Sequence, residues 1–202
     1  VDDRDVMWSK VVWEFVDLNQ KINLPYYFPI DTTNISADRR SLFDTLVKGI
    51  RQGKIEDAYS DSFFTTKITP EEIESRLVNI RTENGYSDTY RLQAEDIGGY
   101  MLKGMWYFDK RQGELKYRLL AIAPMGKDVQ TLGVENVEDE TLYELFWVFF
   151  PSARKTLHNA KVFNPKNASQ PISYDHLLNA RRFNAVIVRE ENIYGNRSIA
   201  DY

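Results

Sequence analysis

An α+β fold is predicted by three features of this sequence: helix-spaced apolar residues in its first third, a switch to extended periodicity between Gly99 and Met125, and a capped helix late in the chain. The expected arrangement is N-terminal helices, a central antiparallel β-hairpin or sheet, and a C-terminal helix packed around one core.

Taken in order, Asp2 or Asp3 caps a first predicted helix whose inner face carries Val11, Phe15, Leu18 and Ile22, ending near Asn23. Trp8 and Val12 widen its apolar stripe. The segment INLPYYFPI follows as an aromatic connector, in which Pro25 and Pro29 push Leu24 and Phe28 toward extended backbone. A second helix is expected from about Ser36 or Asp38 to Gly53, with Leu42, Phe43, Leu46, Val47 and Ile50 inward. Thr69, Pro70 and Glu72 mark the start of a third with a capping box, whose buried stripe is Ile73, Leu77 and Ile80.

Residues 100–108 and 115–123 flank the polar turn Asp109-Lys110-Arg111-Gln112-Gly113, the pattern of a β-hairpin. Val129 to Val137 reads as a short strand. The apolar run LYELFWVFF, 142–150, reads as a buried strand ended by Pro151, with a helix from Glu138 the alternative. Ser173 caps a helix through Leu177, Leu178 and Arg181, and Ala185 to Val188 is either strand or continued helix. Residues 1–202 are expected to form one domain, its weakest seam at 83–99, where Gly85, Gly98 and Gly99 sit among polar residues.

The chain has 202 residues, enough to bury roughly 70% of its unfolded surface. Its 26 basic and 30 acidic side chains leave a net charge of −4, which offers no field for a phosphate backbone, so nucleic acid is not an expected partner. Without cysteine there is no disulfide, thiolate metal site or thiol nucleophile. No apolar run approaches the roughly 20 residues of a membrane span. The chain is therefore expected to be soluble as given, and its start at Val1 leaves a removed signal peptide open.

Catalytic patterns are weak. His158 and His176 are 18 residues apart with no second ligand at metal spacing, and no serine has the flanking glycines of a nucleophile elbow. Glu71, Glu72 and Glu74 suit a helix start, where negative charge is favourable. Glu135, Glu138, Asp139 and Glu140 read as a solvated acidic loop, with a divalent-cation site as the alternative. The expectation is no catalytic residue, no cofactor and no metal. The 27 aromatics and the late arginines Arg181, Arg182, Arg189 and Arg197 suit binding or internal packing instead.

Two long stretches carry a resemblance. DDRDVMWSKVVWEFVDLNQKINLPYYFP (2–29), and ELFWVFFPSARKTLHNAKVFNPKN with SYDHLLNARRFNAVIVREENIYGNRSIADY (144–167 and 173–202), resemble the GldN/PorN family; LKGMWYFDKRQGELKYRLLAIAPM is in keeping with it. That resemblance implies a non-enzymatic periplasmic protein of Bacteroidota, a ring component of the type IX secretion and gliding motility machinery. It implies the lipoprotein GldK/PorK and the motor component GldM/PorM as partners, self-association within a ring, and attachment to the outer membrane through the lipoprotein. A ring subunit needs at least two interfaces, and aromatics and arginines are their usual anchors. The candidates by residue type are Trp8, Trp13, Tyr26, Tyr27, Arg181, Arg182, Tyr194 and Arg197. Core packing suits Trp8 and Trp13 equally well. The competing expectations are a generic periplasmic ligand-binding module, marked by one dominant aromatic-lined pocket, and an enzyme, marked by converging titratable groups.

Overall fold

Val6, Val11, Val12 and Val16 are β-branched, and Trp8, Trp13 and Phe15 are aromatic, a composition that fits a pleated strand. In the computed structural model, which describes residues 6–28, 40–162, 172–192 and 195–198, they form strand β1 (Val6–Asp17) and not the first predicted helix. The reason lies in its position. β1 pairs antiparallel with β5 (Ile97–Asp109) on one edge and with β9 (Val186–Asn192) on the other. Val12, Trp13, Glu14 and Val16 are all buried, so the polar alternation that identifies a half-exposed strand is erased.

The main sheet has eight strands in the order β10 (Gly195–Ser198), β9, β1, β5, β6 (Glu114–Gly126), β8 (Trp147–Phe149) and β2 (Ala58–Tyr59), with β7 (Tyr143–Glu144) also paired to β6. The predicted hairpin is its centre, β5–β6, longer than its core pattern at both ends. Its turn is fixed by Asp109, whose carboxylate accepts from the N–H groups of Arg111 (2.9 Å) and Gln112 (3.3 Å), while Gly113 takes a positive φ of 65°. A separate two-stranded ribbon joins β3 (Val78–Glu83) to β4 (Tyr86–Arg91). β1, which precedes the 83–99 stretch, and β5, which begins at its end and runs beyond it, are paired over most of their length.

Helices cover one face of the sheet. α1 (Leu42–Arg51) starts where Ser41 Oγ accepts from Asp44 N–H, and buries the five apolar residues foreseen for it; Ser36 and Asp38 lie outside the described residues. α2 (Pro70–Leu77) is capped by Thr69, which accepts from Glu72 N–H at 3.3 Å. Ile73 and Leu77 are buried, but Ile80 lies in β3 and is 65% exposed. α4 (Tyr174–Asn179) is capped by Ser173 and ends before Arg181, and 185–188 leads into β9, a strand.

Four further expectations are corrected. Leu24 and Pro25 belong to a 3-10 helix, Lys21–Tyr26, because the fixed φ of proline is compatible with that turn. Val129 to Val137 contains a 3-10 turn, Val129–Thr131, followed by turns; Val134 and Val137 are exposed, so nothing there pairs into the sheet. The run 142–150 is not one strand but β7, β8 and the start of α3 (Phe150–Asn159). Pro151 opens that helix instead of ending a strand, the role its missing N–H favours in a first turn.

The core between sheet and helices joins Val16, Tyr100, Leu102 and Ile122 to Leu46, Ile50, Ala153, Leu157, Leu177 and Leu178. Within it three buried tyrosines are tied to backbone. Tyr174 donates to the carbonyls of Arg40 (2.6 Å) and Pro25 (3.3 Å), Tyr26 to that of Arg182 (3.2 Å), and Tyr100 to that of Tyr26 (3.4 Å). Satisfied in this way, the hydroxyls do not leave buried donors unmade.

Candidate functional site

The sheet carries two aromatic clusters built around cations, one on each face of β1. Trp13 and Glu14, adjacent on β1, point to opposite sides, so a single dipeptide seeds both clusters.

On the helix-covered face, Glu14 lies under the turn that follows α4. Arg181 Nη2 donates to Glu14 Oε2 at 2.7 Å, and the guanidinium sits 4.0 Å from the Tyr117 ring centre, 5.1 Å from Phe183 and 5.5 Å from Trp106. Burial is the largest influence and would lower the arginine's pKa, yet the Glu14 carboxylate and the Tyr117 phenol together outweigh it and raise it. Burial and the same carboxylate push the Tyr117 phenol upward. Gly104, opposite on β5, makes room: a Cβ there would overlap the Tyr117 hydroxyl and ring.

The cluster opens at the hairpin end of the sheet. Trp8 pairs with Phe108 and Phe108 with Leu115, so the three share one face with Lys10, Trp106 and Tyr117. Trp8 is 43% and Leu115 56% exposed. Lys10 reaches Glu190 at 2.5 Å beside them. The result is an apolar patch with a charged rim, the anatomy of a protein interface.

On the opposite face, Lys103 of β5 is buried among rings. Its Nζ donates to the Ser62 carbonyl at 2.6 Å and lies 4.9 Å from Phe63, 5.1 Å from Phe64 and 5.4 Å from Trp13. Arg189 of β9 covers the same Trp13 and Phe63 rings, at 4.6 and 5.3 Å. Trp13 Nε1–H donates to Ser62 Oγ at 3.1 Å, fastening the 60–66 loop over the sheet. Desolvation depresses the Lys103 pKa, against the opposing pull of Glu191 and Asp61.

The sequence candidates separate accordingly. Trp8 and Arg182 are exposed and Tyr27 is half-buried, whereas Trp13 and Tyr26 are interior and Arg181 is committed to Glu14. Tyr194 lies outside the described residues, as does the side chain of Arg197. Glu14, Lys103 and the 62–64 loop were not foreseen. The available signal was a lone charge inside each of two otherwise apolar strands, VVWEFV and YMLKGMWYF, which a buried strand tolerates only when the charge is paired.

No other chemistry converges among the described residues. His158 and His176 are exposed, the 135–140 loop is exposed, and no group of three metal-ligating side chains comes together. No described helix is long and apolar enough to cross a membrane. A cavity of about 530 Å³ between α1 and α3 has no aromatic residue among the described residues that line it, unlike the pocket expected of a ligand-binding module.

Compared with known proteins, the chain matches the family described as "Gliding motility associated protein GldN" over residues 1–202, its whole length. No curated protein matches it.

Proposed function

We propose, because the chain belongs to the GldN family, whose members are components of the gliding motility and type IX secretion machinery, that it is a non-enzymatic structural subunit of the periplasmic secretion ring. In this reading it binds the lipoprotein GldK/PorK and neighbouring copies of itself, lies against the outer membrane through the lipoprotein, and meets the motor component GldM/PorM. The observation that carries the reading is the family match across all 202 residues.

The reading takes 1–202 as one working domain, supported by the pairing of β1 with β5 across the 83–99 stretch. It assigns partner contacts to the exposed members of the sequence set, Trp8, Tyr27 and Arg182, with Leu115 and Phe108 beside Trp8. Trp13, Tyr26 and Arg181 act from inside, holding the sheet faces that present those contacts. A ring needs rigid subunits, and buried cations clamped among rings, Arg181 by the Glu14 carboxylate and Lys103 by the Ser62 carbonyl, stiffen both faces of the sheet.

The test is co-purification with the lipoprotein partner followed by electron microscopy. Rings containing both proteins support the reading, and a monomer indifferent to the lipoprotein at micromolar concentration overturns it.

A further inference from the structure

The groove between α1 and α3 is a second feature, separate from the aromatic clusters. α1 lines it at positions 45, 48 and 49, with its C-cap at 52, and α3 at 152, 155, 156 and 159, one helical stripe from each. The helices approach closely at its floor, where a Cβ on Gly49 would lie 3.1 Å from Thr156 Cγ2. Above that floor stand four cations, Arg40, Lys48, Lys54 and Lys155, and among the described residues no carboxylate belongs to the lining.

This runs against the chain's net charge of −4. Among the described residues none of the four has an ion-pair partner within 4.0 Å, although the charge of Arg40 is felt by Asp44. Arg40 Nε is buried without a hydrogen-bond acceptor. Lys48 also answers the carbonyl end of α1, but a helix end amounts to about half a charge and does not account for four cations.

We infer that this groove is a docking site for a carboxylate-rich segment of a partner protein. Spacing decides the class of ligand. Arg40 precedes α1 and Lys54 follows it, so the cations flank a ten-residue helix about 15 Å long, more than a lone phosphate can span. An extended acidic segment meets all four. The occupant's being a protein rests on the assembly reading above; the polyanion site rests on the groove alone.

The experiment titrates the purified chain with a fluorescent twelve-residue peptide carrying six glutamates, and with its glutamine twin. Two variants of equal charge change are compared: Lys48→Glu/Lys155→Glu in the groove, and Lys21→Glu/Lys110→Glu at exposed positions outside it. The glutamate peptide binds wild type and the outside variant alike, while the groove variant and the glutamine twin each lose about tenfold. Equal losses in both variants, equal binding of the glutamine twin, or no binding overturns the inference. Displacement by tripolyphosphate at lower concentration than unlabelled peptide also overturns it, making the groove a phosphate site. Should the groove variant not fold by circular dichroism, Lys48→Gln/Lys155→Gln replaces it with the same criterion. Assembly is measured separately: a chain that forms rings without binding the peptide sinks this inference alone, and one that binds without forming rings sinks the assembly reading alone.

Discussion

Arg181 donates to Glu14 at 2.7 Å, joining the turn after α4 to the middle of β1 across 167 positions of sequence. Arg181 also holds a positive φ of 52°, a region that costs residues with a Cβ about 1–2 kcal/mol. The ion pair offsets that cost. Glu14 is 4% and Arg181 28% exposed at the side chain, so removing one partner strands a largely buried charge.

Arg181→Ala should therefore lower stability by about 2–4 kcal/mol in urea unfolding, below the full buried-pair range because the arginine keeps some solvent. Arg181→Gly should lose about 1 kcal/mol less, since it relieves the backbone. Equal losses for the two variants would contradict this account of the turn.

Gly104→Ala tests the room left for Tyr117. The added methyl overlaps the phenol in the centre of the sheet, and overpacking of this kind costs about 1–3 kcal/mol. A thermal melt unchanged from wild type would show that Tyr117 has another place to go.

Lys103 should leave a mark on the pH dependence of stability. Its folded pKa lies below the ordinary 10.5 because burial disfavours the charged form. Between the folded value and 10.5 the unfolded chain binds more protons, so this group's contribution improves as pH rises through that window, and its penalty is fully present below it. Lys103→Met should remove the upward slope that lies below pH 10.5. An identical slope in the variant would place its origin elsewhere.

Trp8→Ala should leave the fold intact, because the indole is 43% exposed, while weakening partner binding by about 2 kcal/mol, roughly 30-fold, as expected of an interface anchor. His158→Ala and His176→Ala should change neither property. Full binding by the Trp8 variant would remove the hairpin-end patch from the interface.

Local signals in the sequence located the elements that local chemistry controls. The hairpin turn was legible through Asp109 and Gly113, and two helix starts through Thr69 and Ser173, whereas the cap of α1 is Ser41 and not the expected Ser36 or Asp38. β1 was not, because a strand buried on both faces has no polar side to report its period, and its apolar residues also satisfy helical spacing. α3 was hidden for a related reason. Phe149 and Phe150 continue the apolar run of β8 into the helix, and only Ala153 and Leu157 carry the buried stripe onward. The candidate interface was legible as a residue type but not as a surface: Trp8 and Trp13 are five residues apart, yet sheet pairing on both edges buries one and leaves the other at the hairpin end.

The most direct test of the central claim is the mass distribution of the purified chain mixed with its lipoprotein partner, read by mass photometry at sub-micromolar concentration. A discrete high-mass species containing both proteins, absent from either alone, is the predicted result. Two separate monomer peaks at every ratio would contradict the ring reading.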